Sequence, residues 1–250
     1  MNVSAAKHFP MFSIITVVYN GEAYLEQTIR SVLEQSYGNV EYIIIDGAST
    51  DGTLGIAERY RAGINVLVSE KDRGIYDAMN KGILLASGDF VAFVNADDWL
   101  EPDALESVAA LIADRPEVEF VYGDINVVSD DGSYVWKGNA GRHTRGESIP
   151  HPACFMKRVL LEQTPFDLRY RLAADYELIV RVVRQGHKMA YLGKTVANFR
   201  VGGASSNFGS RREVFLVNRM YFGMVYALKR LSMDVLFHLV NSLKAKFRWL

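Results

Sequence analysis

A chain of 250 residues, 49% hydrophobic and 23% charged, has ample material for a large buried core, which excludes a globally disordered protein. A formal net charge of −1 removes any general electrostatic reason to bind nucleic acid. The single cysteine, Cys154, excludes an intrachain disulfide and a cysteine-built zinc site and reads as a small core residue.

The first eight residues hold no apolar run of signal-peptide type, and no stretch has the length of an uninterrupted membrane-spanning helix. The sequence therefore reads as cytoplasmic. Phe12–Val18 predicts a buried strand that stops at Tyr19-Asn20-Gly21, and Leu25, Ile29, Val32 and Leu33 follow at helical spacing. Val40–Ile45 predicts a second strand, running into the turn cluster Asp46–Thr53 and a helix near Leu54–Arg61. Ile64–Val68 predicts a third strand, followed by a helix carrying Ile75, Met79, Ile83 and Leu84 on its apolar face. Gly88 and Asp89 separate that helix from a fourth strand, Phe90–Val94, which delivers Asp97 and Asp98 at its carboxyl end. Pro102 fits the first turn of another helix, which must stop before Pro116.

Strands alternating with amphipathic helices imply right-handed βαβ units and a mainly parallel sheet flanked by helices. In such sheets ligands bind beyond the carboxyl ends of the strands. Tyr19-Asn20, Asp46, Glu70–Arg73 and Asn95–Asp98 all fall there. Two adjacent carboxylates repel each other and call for a cation or a proton between them. An oxygen-rich pair suits Mg²⁺ or Mn²⁺, which share their remaining positions with substrate phosphates. The competing reading of Asp97-Asp98 is a solvated turn in which Asp98 caps the next helix.

From Val118 to Lys137 short β-like runs surround a hairpin signal at Asp130-Asp131-Gly132. Gly138–Ile149, with Arg142, His143 and Arg145, reads as a loop, and so does Gly202–Ser206. Between them a helical period follows Asp175 and ends at Gly186, with Glu177, Arg181 and Arg184 on its polar face. Residues 211–250 carry eight basic side chains against Glu213 and Asp234, interleaved with aromatics such as Tyr221, Phe237 and Trp249. Such a basic amphipathic helical tail either lies in an anionic membrane interface or packs on the domain or on a second subunit.

Val17-Val18-Tyr19-Asn20, Asp46–Thr53 and Asn95–Asp98 resemble the three nucleotide-sugar motifs of family 2 glycosyltransferases, which have the GT-A fold and act with inversion. Glu70–Gly82 resembles the subgroup that builds bacterial exopolysaccharide and lipopolysaccharide, the colanic-acid-type transferases above all. The resemblance runs over 12–205, and implies a nucleotide-sugar-binding half over 12–117 and an acceptor and base half over 118–205. It implies a hexosyltransferase-type enzyme that takes a nucleotide-diphospho-sugar donor and a saccharide acceptor, free or linked to a polyprenyl diphosphate, at the inner membrane face.

The residue roles follow from the same resemblance. Tyr19 and Asn20 flank the nucleobase, Asp46 accepts a base N–H, and Asp72 and Arg73 contact base or phosphate. Asp98 holds the cation, with Asp97 on the cation, the ribose or the sugar; Asn95 stands where many relatives have an aspartate, which removes one charge. Leu172–Glu177 resembles the family's base motif, so Asp175 deprotonates the acceptor hydroxyl, with burial raising its proton affinity, while Glu177 points into solvent. His151 resembles a histidine that precedes the acceptor region, where it contacts acceptor or phosphate or serves the structure. The rival readings are a sugar-1-phosphate nucleotidyltransferase and a nucleotide-sugar-binding protein without turnover. The first would need a Gly-rich, Arg-bearing loop where Tyr19-Asn20-Gly21-Glu22 stands.

Overall fold

The structure, a computed structural model, describes residues 8–139, 149–202 and 208–233. In chain order, strand β1 (Phe12–Val18), helix α1 (Leu25–Leu33), β2 (Val40–Asp46), α2 (Thr53–Arg59), β3 (Val66–Ser69), α3 (Ile75–Leu85) and β4 (Phe90–Phe93) form the alternating half. A two-residue strand β5 (Trp99–Leu100) and α4 (Ala104–Asp114) follow. Next come β6 (Phe120–Ser129), β7 (Gly132–Trp136), β8 (Cys154–Lys157), α5 (Arg158–Gln163), α6 (Ala174–Gln185), β9 (Met189–Arg200) and α7 (Phe208–Phe222).

The nine strands of the described residues join one sheet in the order β3-β2-β1-β4-β8-β6-β9-β5, with β7 paired to β6 outside that path. The first four pair in parallel, as alternation with helices requires. Beyond β4 the sheet turns mixed: β8 runs antiparallel to both β4 and β6, while β9 pairs parallel to β6 and antiparallel to β5.

The two-residue period of the strands sorts their side chains into two cores. Phe12, Ile14, Tyr42 and Ile44 face α1, α2 and α4. Ile15, Val17, Ile43 and Ile45 face α3, α5 and α6. With both faces covered, every residue of β1 is buried, which is why its sequence is an unbroken apolar run rather than an alternating one. Cys154 is a buried thiol in the second core, donating to the Pro150 carbonyl at 3.3 Å. Gly132 turns the expected hairpin at φ +132°, and Gly186 caps α6 at φ +80°.

Two expectations about helix faces are corrected. Leu84, assigned to the apolar face of α3, is 80% exposed, because the helix meets the sheet through Met79 and Ile83 and leaves Leu84 on the far side. Glu177, expected in solvent, is buried at 3% exposure. The cause is α7, which lies across α6: the Tyr221 hydroxyl donates to Glu177 at 2.6 Å, and that of Tyr176 to Asn218 at 2.7 Å. Arg181 closes the other side of Glu177 at 3.0 Å. The first helix of the basic tail is thus packed on the domain through Val217, Val180 and Ala173. Helical backbone resumes over 224–233 after Gly223 at φ +87°. Arg142, His143 and Arg145, most of the Gly202–Ser206 loop, and the tail beyond 233 lie outside the described residues. Among the described residues no helix is long and apolar enough to cross a membrane.

Gly88 lies where the chain enters β4, and a Cβ there would sit 2.7 Å from the Ser13 nitrogen and 2.9 Å from the Met11 oxygen. Backbone atoms cannot step aside as a side-chain end can, so Gly88→Ala should destabilise the fold by about 1–3 kcal/mol. A lowered urea midpoint at unchanged slope is the expected readout.

Candidate active site

The loops after β1 and β2 are tied together before any ligand arrives. Asn20, in the left-handed region at φ +50°, accepts the Thr50 amide on its side-chain oxygen at 2.9 Å, and its own amide donates to the Ser49 hydroxyl at 2.8 Å. The Ser49 hydroxyl passes on to Asp46, which also accepts the Ser49 amide at 3.1 Å and the Ser69 hydroxyl at 2.6 Å. At 1% exposure and with those partners, Asp46 is turned inward and holds the loops rather than lining the cavity beside them.

That cavity, 510 Å³, opens beyond the carboxyl ends of β1 and β4. Tyr19, Asn20, Asp72, Asp97, His151 and Asp175 all line it, so six of the sequence-selected residues converge. Asp72 stands close against Gly47, where a Cβ would lie 2.6 Å from its carboxylate and 3.4 Å from the Tyr19 ring. Glycine at 47 is what lets an aromatic ring and a carboxylate share this corner. Arg73 is not among the lining residues: its exposed guanidinium pairs with Asp77 one turn on in α3, at 2.8 Å.

Asn95–Asp98 forms a tight turn at the end of β4. The buried Thr28 hydroxyl of α1 fastens it by donating to the carbonyls of Asp98 at 2.7 Å and Ala96 at 2.9 Å. Asp98 lies just behind the cavity wall at 1% exposure, accepting the Arg200 amide at 3.1 Å and the Asn95 side-chain amide at 3.4 Å. Burial, with the Asp97 carboxylate as the next cause, pushes the Asp98 pKa up to about 8. Burial likewise raises Asp97. The Arg200 guanidinium offsets this only weakly, because it lies 4.3 Å over the Tyr24 ring and donates to Gln27 at 2.9 Å.

The donor set fits a hard divalent cation. The Asn95 side-chain oxygen is buried beside the carboxylates with no hydrogen-bond partner, a state that usually costs about 1–3 kcal/mol unless something else satisfies it. Two carboxylates and one amide oxygen leave several positions for water or phosphate, as Mg²⁺ and Mn²⁺ prefer. Among the described residues no three His, Cys, Asp or Glu side chains converge, so a fuller protein cage is absent there.

Across the cavity, Asp175 sits in the first turn of α6 and accepts the Tyr76 hydroxyl at 2.8 Å. Burial and the Asp175 carboxylate both push the Tyr76 phenol far above its ordinary range, so it stays a donor. His151 stacks on Phe93 with ring centroids 5.5 Å apart, and burial holds its pKa below the ordinary histidine value against the pull of Asp175. The segment leading into α6 is held from outside: Glu213 of α7 accepts the amides of Arg171, Leu172 and Ala173 at 3.0, 2.8 and 3.0 Å. Sequence reasoning missed both supports. Tyr76 belongs to the apolar period of α3 and Glu213 is one acid among many cations; only Glu213's isolation in a basic stretch was a usable signal.

A family model described as Glycosyl transferase family 2 matches residues 13–168. A PGL/p-HBAD biosynthesis glycosyltransferase of Mycobacterium tuberculosis is 35% identical over 206 residues, covering 79% of this chain and 80% of the relative. The amylovoran biosynthesis glycosyltransferase AmsB of Erwinia amylovora is 30% identical over 223 residues, covering 81% and 72%. In structure, S. aureus TarS in complex with UDP-GlcNAc superposes with a TM-score of 0.71 at 22% identity; the match covers 84% of this chain and 65% of that one. A mannosyltransferase of Pyrobaculum calidifontis in complex with GDP-Man and Mn²⁺ gives 0.68 at 19% identity, covering 90% and 70%. The fold is that of the GT-A transferases.

The acid pair generates a pH prediction. A carboxylic acid whose folded pKa is raised contributes stability that is fully present below its unfolded value near 3.9 and is lost as pH climbs through the folded value. For Asp98 that window runs from about pH 4 to about pH 8. Without divalent metal, Asp98→Asn should therefore melt higher than the native chain at pH 8, with the difference shrinking toward pH 4. Mn²⁺ should raise the melting temperature of the native chain more at pH 8 than at pH 5, and that of the variant little at either.

Proposed function

The chain belongs to glycosyl transferase family 2 and is a glycosyltransferase of glycan biosynthesis, and from that premise we propose an inverting, metal-dependent transfer of a sugar from a nucleotide-diphospho-sugar to an acceptor hydroxyl. The acceptor in this reading is a saccharide carried on a lipid diphosphate during bacterial polysaccharide assembly. One observation carries the proposal: a carboxylate base, Asp175, faces the same cavity as the acid turn Asn95–Asp98. A single displacement needs the base on one side of the anomeric carbon and the departing diphosphate on the other. Two groups that line one chamber from different segments of the chain are consistent with that.

Tyr19 offers its ring, 65% exposed, to a nucleobase, and Asp72 is the carboxylate in reach of a base N–H. Asp46 and Asn20 support that corner by holding the two loops in register. Asp97, Asp98 and the Asn95 oxygen would hold Mg²⁺ or Mn²⁺, which when bound neutralises charge on the departing nucleoside diphosphate. Among the described residues Arg171, on the cavity wall, and Arg73, once released from Asp77, are cations available for phosphate oxygens. Asp175 takes the acceptor proton, with Tyr76 orienting it. His151, kept neutral by burial, stands beside it to contact the acceptor.

The proposed location is the inner membrane face. Met220, Met224, Val225, Leu228 and Met233 are exposed on the last described helices, next to Arg219 and Lys229. Apolar side chains beside cations suit an anionic lipid interface.

Three measurements test this reading. Asp175→Asn should cut kcat by about 10²–10⁴-fold, the range of a lost general base, while donor affinity survives. A thermal-shift screen of UDP- and GDP-sugars with Mn²⁺ should find one donor that raises the melting temperature; stabilisation by none of them sinks the donor assignment. The full chain should co-float with vesicles containing anionic lipid and not with neutral ones.

A further inference from the structure

Beyond the donor cavity lies a second chamber of 390 Å³ that shares His151, Leu172, Asp175 and Phe199 with the first. Among the described residues, the rest of its wall is mostly hydrocarbon. Ile125 comes from β6, Trp136 from β7, Ile179 from α6 and Val214 from α7, with Ile149 ahead of β8. Ile125, Ile149 and Ile179 are each 1% exposed, so the floor of this chamber is the domain core itself. Besides the shared Asp175 and His151, its polar members among the described residues are Tyr176, Ser210 and Arg230.

A chamber built for sugar rings alone would present hydrogen-bonding side chains in number, because each hydroxyl buried without a partner costs about 1–3 kcal/mol. An apolar wall with a few convergent polar groups is instead the lining expected for a hydrophobic ligand anchored at one end. Here the polar end is Asp175, and it stands at the boundary between the two chambers.

Resting on the transferase reading with Asp175 as base, we infer that the acceptor hydroxyl sits beside an apolar aglycone, an aromatic ring or an alkyl chain, which fills this second chamber. The hydroxyl lies at the boundary. Its oxygen bonds to the anomeric carbon of the donor sugar, its proton passes to Asp175, and the bond to the diphosphate breaks with its electron pair leaving on the nucleotide. The apolar group supplies affinity, and its seat between Trp136 and Ile179 orients the hydroxyl.

The test uses three probes with one sugar head, methyl, phenyl and n-octyl β-glucoside, titrated calorimetrically into the full chain below the micelle concentration. Phenyl or octyl glucoside should bind at least tenfold more tightly than methyl glucoside. The better of the two tells an aromatic aglycone from a lipid chain. Trp136→Ala and Val214→Ala, each checked for a cooperative melting transition, should bring the ratio toward one. Equal affinity for the three probes, binding of none, or a preference that survives both substitutions overturns the inference. The donor screen above is the separate check on the reading beneath it: a chain that binds a nucleotide sugar yet ignores the aglycone loses only this inference.

Discussion

Two adjacent carboxylates at the end of a strand, Asp98 buried and Asp97 half-buried, set the terms for the rest of the molecule. Asp97 and Asp98 are pushed upward in proton affinity by the low-dielectric surroundings that the fold creates around them. Among the described residues the Arg200 guanidinium relieves this only weakly, being stacked over Tyr24 and Trp99. The turn is held by main-chain and hydroxyl bonds, from Thr28 on one side and the Arg200 amide on the other. The result is a fixed, electrically unsatisfied concavity, and everything ordered around it faces the same opening.

That order is achieved largely by polar side chains whose partners are main-chain groups. Asn20, Asp46 and Ser49 knit two loops, Thr28 clamps a third, and Glu213 gathers the three amides ahead of α6. Each of these side chains is engaged by the protein itself, so each works by placing others. The groups left turned toward the cavity, Tyr19, Asp72, Asp97 and Asp175, come from four separate segments and meet only because those clamps set the loops.

The parallel half was legible because its signals are local. Each strand is a short apolar run, each helix repeats at its own period, and β1 to β4 pair as the alternation demands. The convergence of Tyr19, Asp97 and Asp175 on one cavity was legible for the same reason, since strand ends fix where loops lie. What stayed hidden depends on contacts between distant parts of the chain. The two-residue β5 exists only through its pairing with β9, and β8 inserts antiparallel between β4 and β6. No period within those segments encodes such partners. Glu177 misled because α7, thirty residues away, covers the face that periodicity assigned to water. Asp46 and Asp98 lie at the strand ends the motifs pointed to, but Asp46 is turned inward and Asp98 sits behind the cavity wall, which a motif cannot tell.

The bond between Tyr76 and Asp175 has a geometric corollary. A phenol that keeps its proton throughout the working pH range always occupies the same oxygen of the carboxylate. Asp175 is therefore an asymmetric carboxylate, one oxygen engaged by Tyr76 and the other keeping its lone pairs, oriented by a residue of α3 on the same face of the sheet. A tyrosine on the cavity wall thus sets which way the carboxylate across from it is turned.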